Sequence, residues 1–354
     1  MFTVSFRNTA AAITGGAVLL TLSLAGIVQA EDDTPQTINI SAADIAAVKQ
    51  ATHAVFHAKP SSTLVGRTAS KDRLSAKSLA SHTPKSAISS ASAETRYEGD
   101  LGFEGGPVVE SAKSHPIYLL PGGNCPVSVC WGNPPEFLKN LSTSQFIHLA
   151  DQYIGLTGDD RYQLGASFKY SYTPPTTPLT DANMQTVVHA AALAGGINGY
   201  HHIFHVFLPP GQDECFDSTF TTCYSPDNSS TFFFCAYHGS VTFSDVGHVL
   251  YTVEPYQNVQ GCQVGTDTPN GQLVDSTNDV LAHETFETIT DPDIDAWRNL
   301  TSNALFLSEI GDECQFIIFV GNNVYFDPDV FQMNGKLFAT QPMYSNEAHG
   351  CAVH

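Results

Sequence analysis

The sequence predicts a mixed α+β (or α/β) fold, with one domain over residues 101–354. In this region, short runs of β-branched and aromatic residues alternate with longer segments of helical periodicity. Both kinds of element within about 250 residues favour a single domain with a mixed sheet. All eight cysteines lie at or after Cys125, and an even count in an exported chain predicts disulfide bonds.

Seven runs have the composition of strands. They are Val127–Trp131, Phe168–Tyr172, Ile203–Leu208, Phe232–Tyr237, Val249–Val253, Gln315–Val320 and Lys336–Thr340. The pair Asn334-Gly335 lies between two such runs and predicts a tight hairpin. Three segments have apolar residues at helical spacing, namely Pro135–Tyr153, Asp181–Ala194 and Ser276–Ile289.

The first 30 residues have the pattern of a secretory signal peptide. Arg7 precedes an apolar run over residues 10–28, and the small residues Val28 and Ala30 precede the expected cleavage point. The run is nearly long enough for a membrane anchor, but the acidic residues 31–33 favour cleavage. We therefore predict a secreted protein, extracellular or periplasmic, with no membrane association after cleavage.

Residues 31–100 differ in composition from the rest of the chain. They are rich in Ala, Ser, Thr and Lys and poor in aromatic residues, so they could bury little apolar surface. One short amphipathic helix is expected near Ala42–His57. The segment is interpreted as a propeptide or a disordered linker, and the sequence leaves both alternatives open.

Charge and cysteine spacing exclude several classes of function. Residues 101–354 contain six Lys or Arg against 27 Asp or Glu, a surface that repels nucleic acid and anionic membranes. No Cys-x-x-Cys pair is present, so a thiolate zinc site is not expected. Among the 105 possible pairings of eight cysteines, we expect Cys125–Cys130 and Cys314–Cys351.

The candidate metal ligands and the candidate general base lie in the segment His283-Glu284-Thr285-Phe286-Glu287. Ser276 and Asp279 have capping-box spacing and predict that a helix begins there. On that helix His283 and Glu287 share one face and could both bind Zn²⁺ at about 2.0–2.2 Å. Glu284 is rotated by about 100° from its neighbour and is placed to accept a proton from water. The pattern is that of the zinc-binding motif H-E-x-x-H, with Glu in place of the second His.

A catalytic zinc site needs a third protein ligand. Glu309 and Asp312 follow 22 and 25 residues after Glu287. We assign Glu309 as the third ligand and Asp312 as the partner that orients His283, and the reverse assignment stays open. The order resembles the gluzincin arrangement. One imidazole and two carboxylates also suit a harder ion such as Mn²⁺ or Ca²⁺.

These residues predict a secreted zinc-dependent hydrolase that acts on a peptide or protein substrate, with Glu284 as general base. His238, His248 and His349 are candidates for stabilising the transition state. No G-x-S-x-G and no phosphate-binding glycine loop is present. Two other functions stay open: a non-enzymatic extracellular protein with a structural ion or none, and a carbohydrate-active enzyme with paired carboxylates.

The order of motifs over residues 101–352 resembles the Exordium-like, phosphate-induced secreted proteins. The matching pieces are Gly105–Val109, Trp131, Cys235–Ser240, Thr290–Pro292, Ala296-Trp297, Glu309–Asp312, Met333–Lys336 and Cys351. The resemblance implies an extracellular or cell-wall protein without a settled chemistry. Many plant members lack the His-Glu pair, whereas this chain has His283-Glu284, which implies the metal-dependent form.

Overall fold

A central eight-stranded sheet with helices on both faces is the main feature of the computed structural model. The structure describes residues 34–53, 99–299, 309–320 and 323–354. The predicted mixed α+β fold class is confirmed. The predicted signal peptide, residues 1–30, lies outside the described residues. None of the described helices is long and apolar enough to cross a membrane.

The strands and helices have the following bounds. The strands are β1 Gln36–Thr37, β2 Thr52–His53, β3 Gly102–Phe103, β4 Ala112–Pro121, β5 Tyr162–Leu164, β6 Phe168–Tyr172, β7 Leu179–Thr180, β8 His202–Phe207, β9 Glu214–Cys215, β10 Cys223–Tyr224, β11 Tyr237–Phe243, β12 Gly247–Glu254, β13 Trp297–Arg298, β14 Ile317–Val320, β15 Asn323–Phe326, β16 Asp329–Met333, β17 Lys336–Thr340, β18 Met343–Ser345 and β19 Gly350–Ala352. The α-helices are α1 Ala42–Gln50, α2 Val127–Cys130, α3 Pro134–Ser142, α4 Asp151–Ile154, α5 Asp181–Gly195 and α6 Gln272–Thr290. Two 3-10 helices span Phe146–Ala150 and Asp312–Cys314.

The central sheet is parallel over most of its width and antiparallel at one end. Its strand order is β1-β6-β4-β8-β12-β11-β2, and β5 pairs with β4 beside this path. Strands β1, β6, β4, β8 and β12 run parallel, while β11 is antiparallel to β12 and β2 to β11. Helix α6 packs against β11, β12 and β17. The candidate site therefore lies beside the antiparallel end of the sheet.

Alternating residues of β4 show how the sheet separates two hydrophobic cores. Ile117 and Leu119 belong to the core that includes buried residues of α1 and α5. Tyr118 and Leu120 belong to the other core, with buried residues of α3 and α6. Successive side chains of a strand point to opposite faces, which explains this division. Residues 117–120 are all apolar because both faces of the sheet are covered.

Residues 34–53 are folded onto the central sheet. Strand β1 pairs with β6 at one edge, β2 pairs with β11 at the other, and α1 packs on α5 between them. Ser41 and Asp44 form the capping box that begins α1, and Val48 is buried. The folded unit therefore begins before the predicted boundary at residue 101. The propeptide interpretation of residues 31–100 stays a prediction.

Helix α6 begins four residues earlier than the capping-box pattern predicts. Gly271, with φ +88°, precedes the helix, and the Ser276 hydroxyl donates to the carbonyl of Gln272 inside it at 2.5 Å. Every residue from 275 to 290 is buried. The helix ends at Thr290, two residues before Pro292, which disfavours helical backbone in the residue before it. Its polar side chains lie in the protein interior and need partners there.

Two predicted strands are wrong. Val127–Trp131 is mostly the helical turn α2, because the disulfide Cys125–Cys130 closes a loop too short for an extended chain. In Phe232–Tyr237 only the last residue belongs to a strand. Apart from a single bridge to Cys223, that segment is irregular and its backbone is held by the Cys235–Cys262 bond.

The predicted helix Pro135–Tyr153 is broken into α3, a 3-10 helix and α4. Ser144 accounts for the break, because its hydroxyl donates to the Leu141 carbonyl and accepts from the Ile147 amide.

The predicted tight hairpin is confirmed. Asn334 and Gly335 connect β16 to β17 with φ of +53° and +80°, the signs that a type I′ turn requires.

Four disulfides join all eight cysteines in pairs. They are Cys125–Cys130, Cys215–Cys223, Cys235–Cys262 and Cys314–Cys351, so both predicted pairs are confirmed. Two of these bonds anchor the parts of the chain that carry the candidate site. Cys314–Cys351 ties the 3-10 helix Asp312–Cys314 to β19, and Cys235–Cys262 holds the chain two residues before β11.

Candidate metal centre

Six ionisable side chains meet in the interior where α6 packs against β11. They are His238 on β11, His283, Glu284 and Glu287 on α6, and Glu309 and Asp312 in the turn that leads to β14. All six side chains have 0 % exposure. The cluster contains the five residues that the sequence assigns to the metal site, together with His238, one of the three histidines considered for stabilising the transition state.

One group of potential ligands, the His283 group, consists of His283, Glu287 and Asp312. His283 Nε2 lies 3.2 Å from Glu287 Oε1 and 3.6 Å from Asp312 Oδ1. Two ligands at about 2.0–2.1 Å from a tetrahedral zinc are about 3.4 Å apart. Hydrogen-bonded pairs are closer, at about 2.7–3.2 Å. The separation from Asp312 suits atoms that share an ion, and the separation from Glu287 lies at the boundary between the two ranges.

A second group, the His238 group, consists of His238, Glu284 and Glu287. His238 Nδ1 lies 3.5 Å from Glu284 Oε2 and 3.5 Å from Glu287 Oε2. Within each group the ligand atoms are all within 4.8 Å of one another. Glu287 belongs to both groups, with one carboxylate oxygen in each.

Hydrogen bonds fix which ring nitrogen of each histidine faces the carboxylates. His238 Nε2 lies 3.1 Å from the carbonyl oxygen of Asp291. A carbonyl oxygen can only accept, so Nε2 carries the hydrogen and Nδ1 points its lone pair at the His238 group. A lone pair facing two carboxylates is unfavourable unless a cation or a proton lies between them.

His283 is oriented in the same way by Gln341. The amide nitrogen of Gln341 donates to the carbonyl of Gly311 at 2.7 Å, so its oxygen faces His283 Nδ1 at 3.1 Å. His283 Nδ1 therefore carries the hydrogen. Nε2 faces Glu287 at 3.2 Å and Asp312 at 3.6 Å. Histidines that bind metals are usually held by such a hydrogen bond from the other ring nitrogen.

Negative charge exceeds positive charge in the cluster. Glu254 adds a fifth carboxylate, and its Oε1 accepts from the Thr252 hydroxyl at 2.8 Å. No lysine or arginine is buried anywhere in the described part of the chain. Buried carboxylates are costly unless they are paired or bind a metal. The cluster must therefore take up either protons or cations.

The raised pKa values of His283, Glu284 and Glu254 show that the cluster favours bound protons or cations. Burial lowers the pKa of His283, but Glu287, Glu284 and Asp312 together raise it to about 10. Burial raises the pKa of Glu284 above its ordinary value, and Glu287 adds to that rise. Burial and the charge of Glu284 raise the pKa of Glu254 well above its ordinary value. A divalent cation can replace the protons that these groups hold.

The geometry favours the reversed assignment of the two acidic residues after α6. Asp312 belongs to the His283 group, whereas Glu309 belongs to neither group within the described residues. Glu309 Oε1 lies 3.7 Å from His238 Nε2, and the Glu309 amide donates to Asp312 Oδ2 at 3.2 Å. Asp312 therefore lies where it could be a ligand, and Glu309 lies beside the two groups.

The sequence named His238 only as one of three candidates for stabilising the transition state, and it did not identify Gln341. Of the three histidines considered for transition-state stabilisation, only His238 is in the cluster. His248 pairs with Asp293 at 3.1 Å, and His349 pairs with Asp100 at 3.0 Å. His238 precedes α6 by more than thirty residues, and only the sheet pairing of β11 with β12 brings it there. No local signal in the sequence could have identified it.

We expect Gly311→Ala to weaken metal binding by about 10–100-fold, the usual effect of disturbing the groups that orient a ligand. The backbone φ of Gly311 is −78°, so alanine fits its conformation. However, a Cβ there would lie 2.6 Å from His283 Nδ1 and would displace the ring. Zinc titration of the purified variant measures the effect. Gly265→Ala, where a Cβ meets nothing within 4 Å, is the control and should bind as the wild type.

Comparison with protein-family models, with curated proteins and with solved structures finds no match to this chain. The resemblance to Exordium-like proteins therefore stays an expectation from the sequence motifs. The function must be argued from the residues of the cluster and their geometry.

Proposed function

We propose that this chain is a secreted metal-dependent hydrolase whose ion is held by His283, Glu287 and Asp312. The orientation of the imidazoles carries the proposal. Each ring is fixed from behind by a carbonyl oxygen, and its remaining nitrogen faces carboxylates at separations typical of shared ligation. Imidazole with carboxylates suits zinc, and the share of oxygen ligands also suits manganese.

A bound divalent ion supplies a Lewis acid that polarises a scissile carbonyl and lowers the pKa of water. The chain supplies the proton acceptor. Both oxygens of Glu284 are buried; Oε2 lies 3.5 Å from His238 Nδ1, and Oε1 accepts no hydrogen bond from the described residues. Its raised pKa favours uptake of a proton from water and its return to the leaving amine. Hydrolysis of a peptide bond, in a peptide or protein substrate, is therefore the proposed reaction.

Export is part of the proposal. The N-terminal pattern of a signal peptide and the four disulfides both support an oxidising, extracellular or periplasmic environment. The acidic composition of residues 101–354 makes nucleic acid and anionic lipid unsuitable partners.

Glu284→Gln is expected to lower peptide hydrolysis by about 10²–10⁴-fold while the ion of the His283 group is retained. Glutamine has the same shape but cannot accept the proton. The experiment compares zinc-loaded wild type and variant on a peptide library, each with and without chelator. Glu347→Gln, a change at an exposed glutamate, is the matched control. Hydrolysis that survives both Glu284→Gln and the chelator would contradict the proposed mechanism.

A second candidate function is a non-enzymatic extracellular protein with a structural ion. The complete burial of the six side chains favours it, because structural sites are closed whereas catalytic sites keep an open position. In that case Glu284→Gln changes no activity, and the chelator lowers only the melting temperature. The same comparison of wild type and variant therefore separates the two functions.

A further inference from the structure

Glu287 faces two different histidines with its two oxygens. Its Oε1 lies 3.2 Å from His283 Nε2, and its Oε2 lies 3.5 Å from His238 Nδ1. Each of these nitrogens is the one that does not donate to a carbonyl oxygen. A single carboxylate thus faces one ring nitrogen of each imidazole. This is how a bridging carboxylate is placed between two metal ions.

Each side of Glu287 has its own additional carboxylate. Asp312 completes the His283 group, and Glu284 completes the His238 group. In the His238 group both separations from Nδ1 are 3.5 Å, close to the value of about 3.4 Å for two ligands of one tetrahedral ion. The two sides therefore offer the same set of donors: one imidazole, one carboxylate of their own and one oxygen of Glu287.

Glu284 provides a further observation that favours a cation on this side. It has 0 % exposure, its contact with His238 Nδ1 through Oε2 is 3.5 Å long, and its Oε1 accepts no hydrogen bond from the described residues. A buried carboxylate in this condition has little compensation for its lost hydration. An ion in the His283 group alone does not give Glu284 a ligand role. An ion between Glu284 and His238 does.

We propose that the cluster binds two divalent cations bridged by Glu287, with the second cation held by His238, Glu284 and the shared Glu287. This inference rests on the proposed ion of the His283 group. Pairs of ions about 3.5–4 Å apart occur in hydrolytic enzymes, where they bind both the attacking and the leaving oxygen. Glu284 then binds the second cation through Oε2, and its Oε1 remains to accept the proton.

The charges of the cluster fit two ions. With both imidazoles neutral and a proton retained on Glu254, the carboxylates of Glu284, Glu287, Glu309 and Asp312 carry four negative charges. Two divalent cations carry four positive charges. One divalent cation would leave two uncompensated carboxylates in an interior that holds no lysine or arginine among the described residues. Such a state is costly.

Metal titration of the full-length purified protein tests the inference. Manganese is the probe, with bound equivalents measured by elemental analysis and coupling between ions measured by electron paramagnetic resonance. We expect two equivalents and an exchange-coupled spectrum for the wild type. His238→Ala is expected to bind one equivalent and to show the spectrum of an isolated ion. His201→Ala, at an exposed histidine, is the matched control and should bind two.

The outcomes separate the two proposals. One equivalent in the wild type overturns the second cation and leaves the ion of the His283 group in place. No bound metal overturns both. Two equivalents in His238→Ala place the second ion elsewhere and also overturn the inference. Glu284→Gln, which keeps the size of the side chain, gives the same test if His238→Ala does not fold, and it should bind one equivalent.

Discussion

Glu287→Gln is expected to abolish metal binding by the cluster, with a loss of affinity greater than about 100-fold. Glu287 supplies an oxygen to the His283 group and another to the His238 group, so its loss affects both. The amide has no charge to neutralise the cation. The metal-free protein should also lose stability. Burial lowers the pKa of His283 and Glu287 contributes most to raising it, so the loss of this carboxylate leaves the buried imidazolium without its main partner and the melting temperature should fall.

Zinc titration and thermal melts of the wild type and the variant, with and without metal, check both expectations. The wild type should melt at a higher temperature with zinc, whereas Glu287→Gln should show no shift. Glu347→Gln, an exposed glutamate, is the control and should keep the wild-type shift. If Glu287→Gln is stabilised by zinc as strongly as the wild type, the cluster is not the metal site.

Removing divalent ions is expected to destabilise the protein, and the loss should grow as the pH rises. An ion at about 100 times its dissociation constant stabilises the fold by about 2.7 kcal/mol. Burial lowers the pKa of His283, but Glu287, Glu284 and Asp312 raise it to about 10 in the absence of metal, against an ordinary 6.5. The proton on His283 therefore stabilises the metal-free fold fully below about pH 6.5, and this stabilisation is lost as the pH rises through about 10.

The metal-bound protein does not depend on that proton, because the ion takes its place. Protons also compete with the ion at low pH, which weakens binding there. Thermal melts at about pH 6 and about pH 8.5, with zinc or with chelator, should give a larger difference in melting temperature at the higher pH. An equal difference at both pH values would mean that the ion displaces no proton from the cluster.

The local part of the site could be predicted from the sequence. The spacing of His283 and Glu287 fixes a common helix face, and helix periodicity is a short-range property. The choice between Glu309 and Asp312 could not be made, because it depends on the path of the turn before the 3-10 helix. His238 could be named as a candidate but not chosen over His248 and His349, since a contact between a strand and a helix depends on the whole sheet order.

In the fold, too, the local features could be predicted from the sequence and the long-range ones could not. The type I′ hairpin at Asn334-Gly335 and the short disulfide loop Cys125–Cys130 are local, and both predictions are confirmed. The prediction of a strand at Val127–Trp131 is wrong because the disulfide loop overrides the β propensity of these residues. The role of residues 34–53 at both sheet edges depends on long-range pairing, which composition does not reveal.

The central claim is that the buried cluster holds a divalent ion, and anomalous diffraction from zinc-soaked crystals tests it most directly. We predict a zinc peak within bonding distance of His283 Nε2 and the carboxylates of Glu287 and Asp312. Crystals of Gly265→Ala should show the same peak. Zinc-soaked crystals with no anomalous peak in the cluster, or with zinc only at surface carboxylates, would contradict the account.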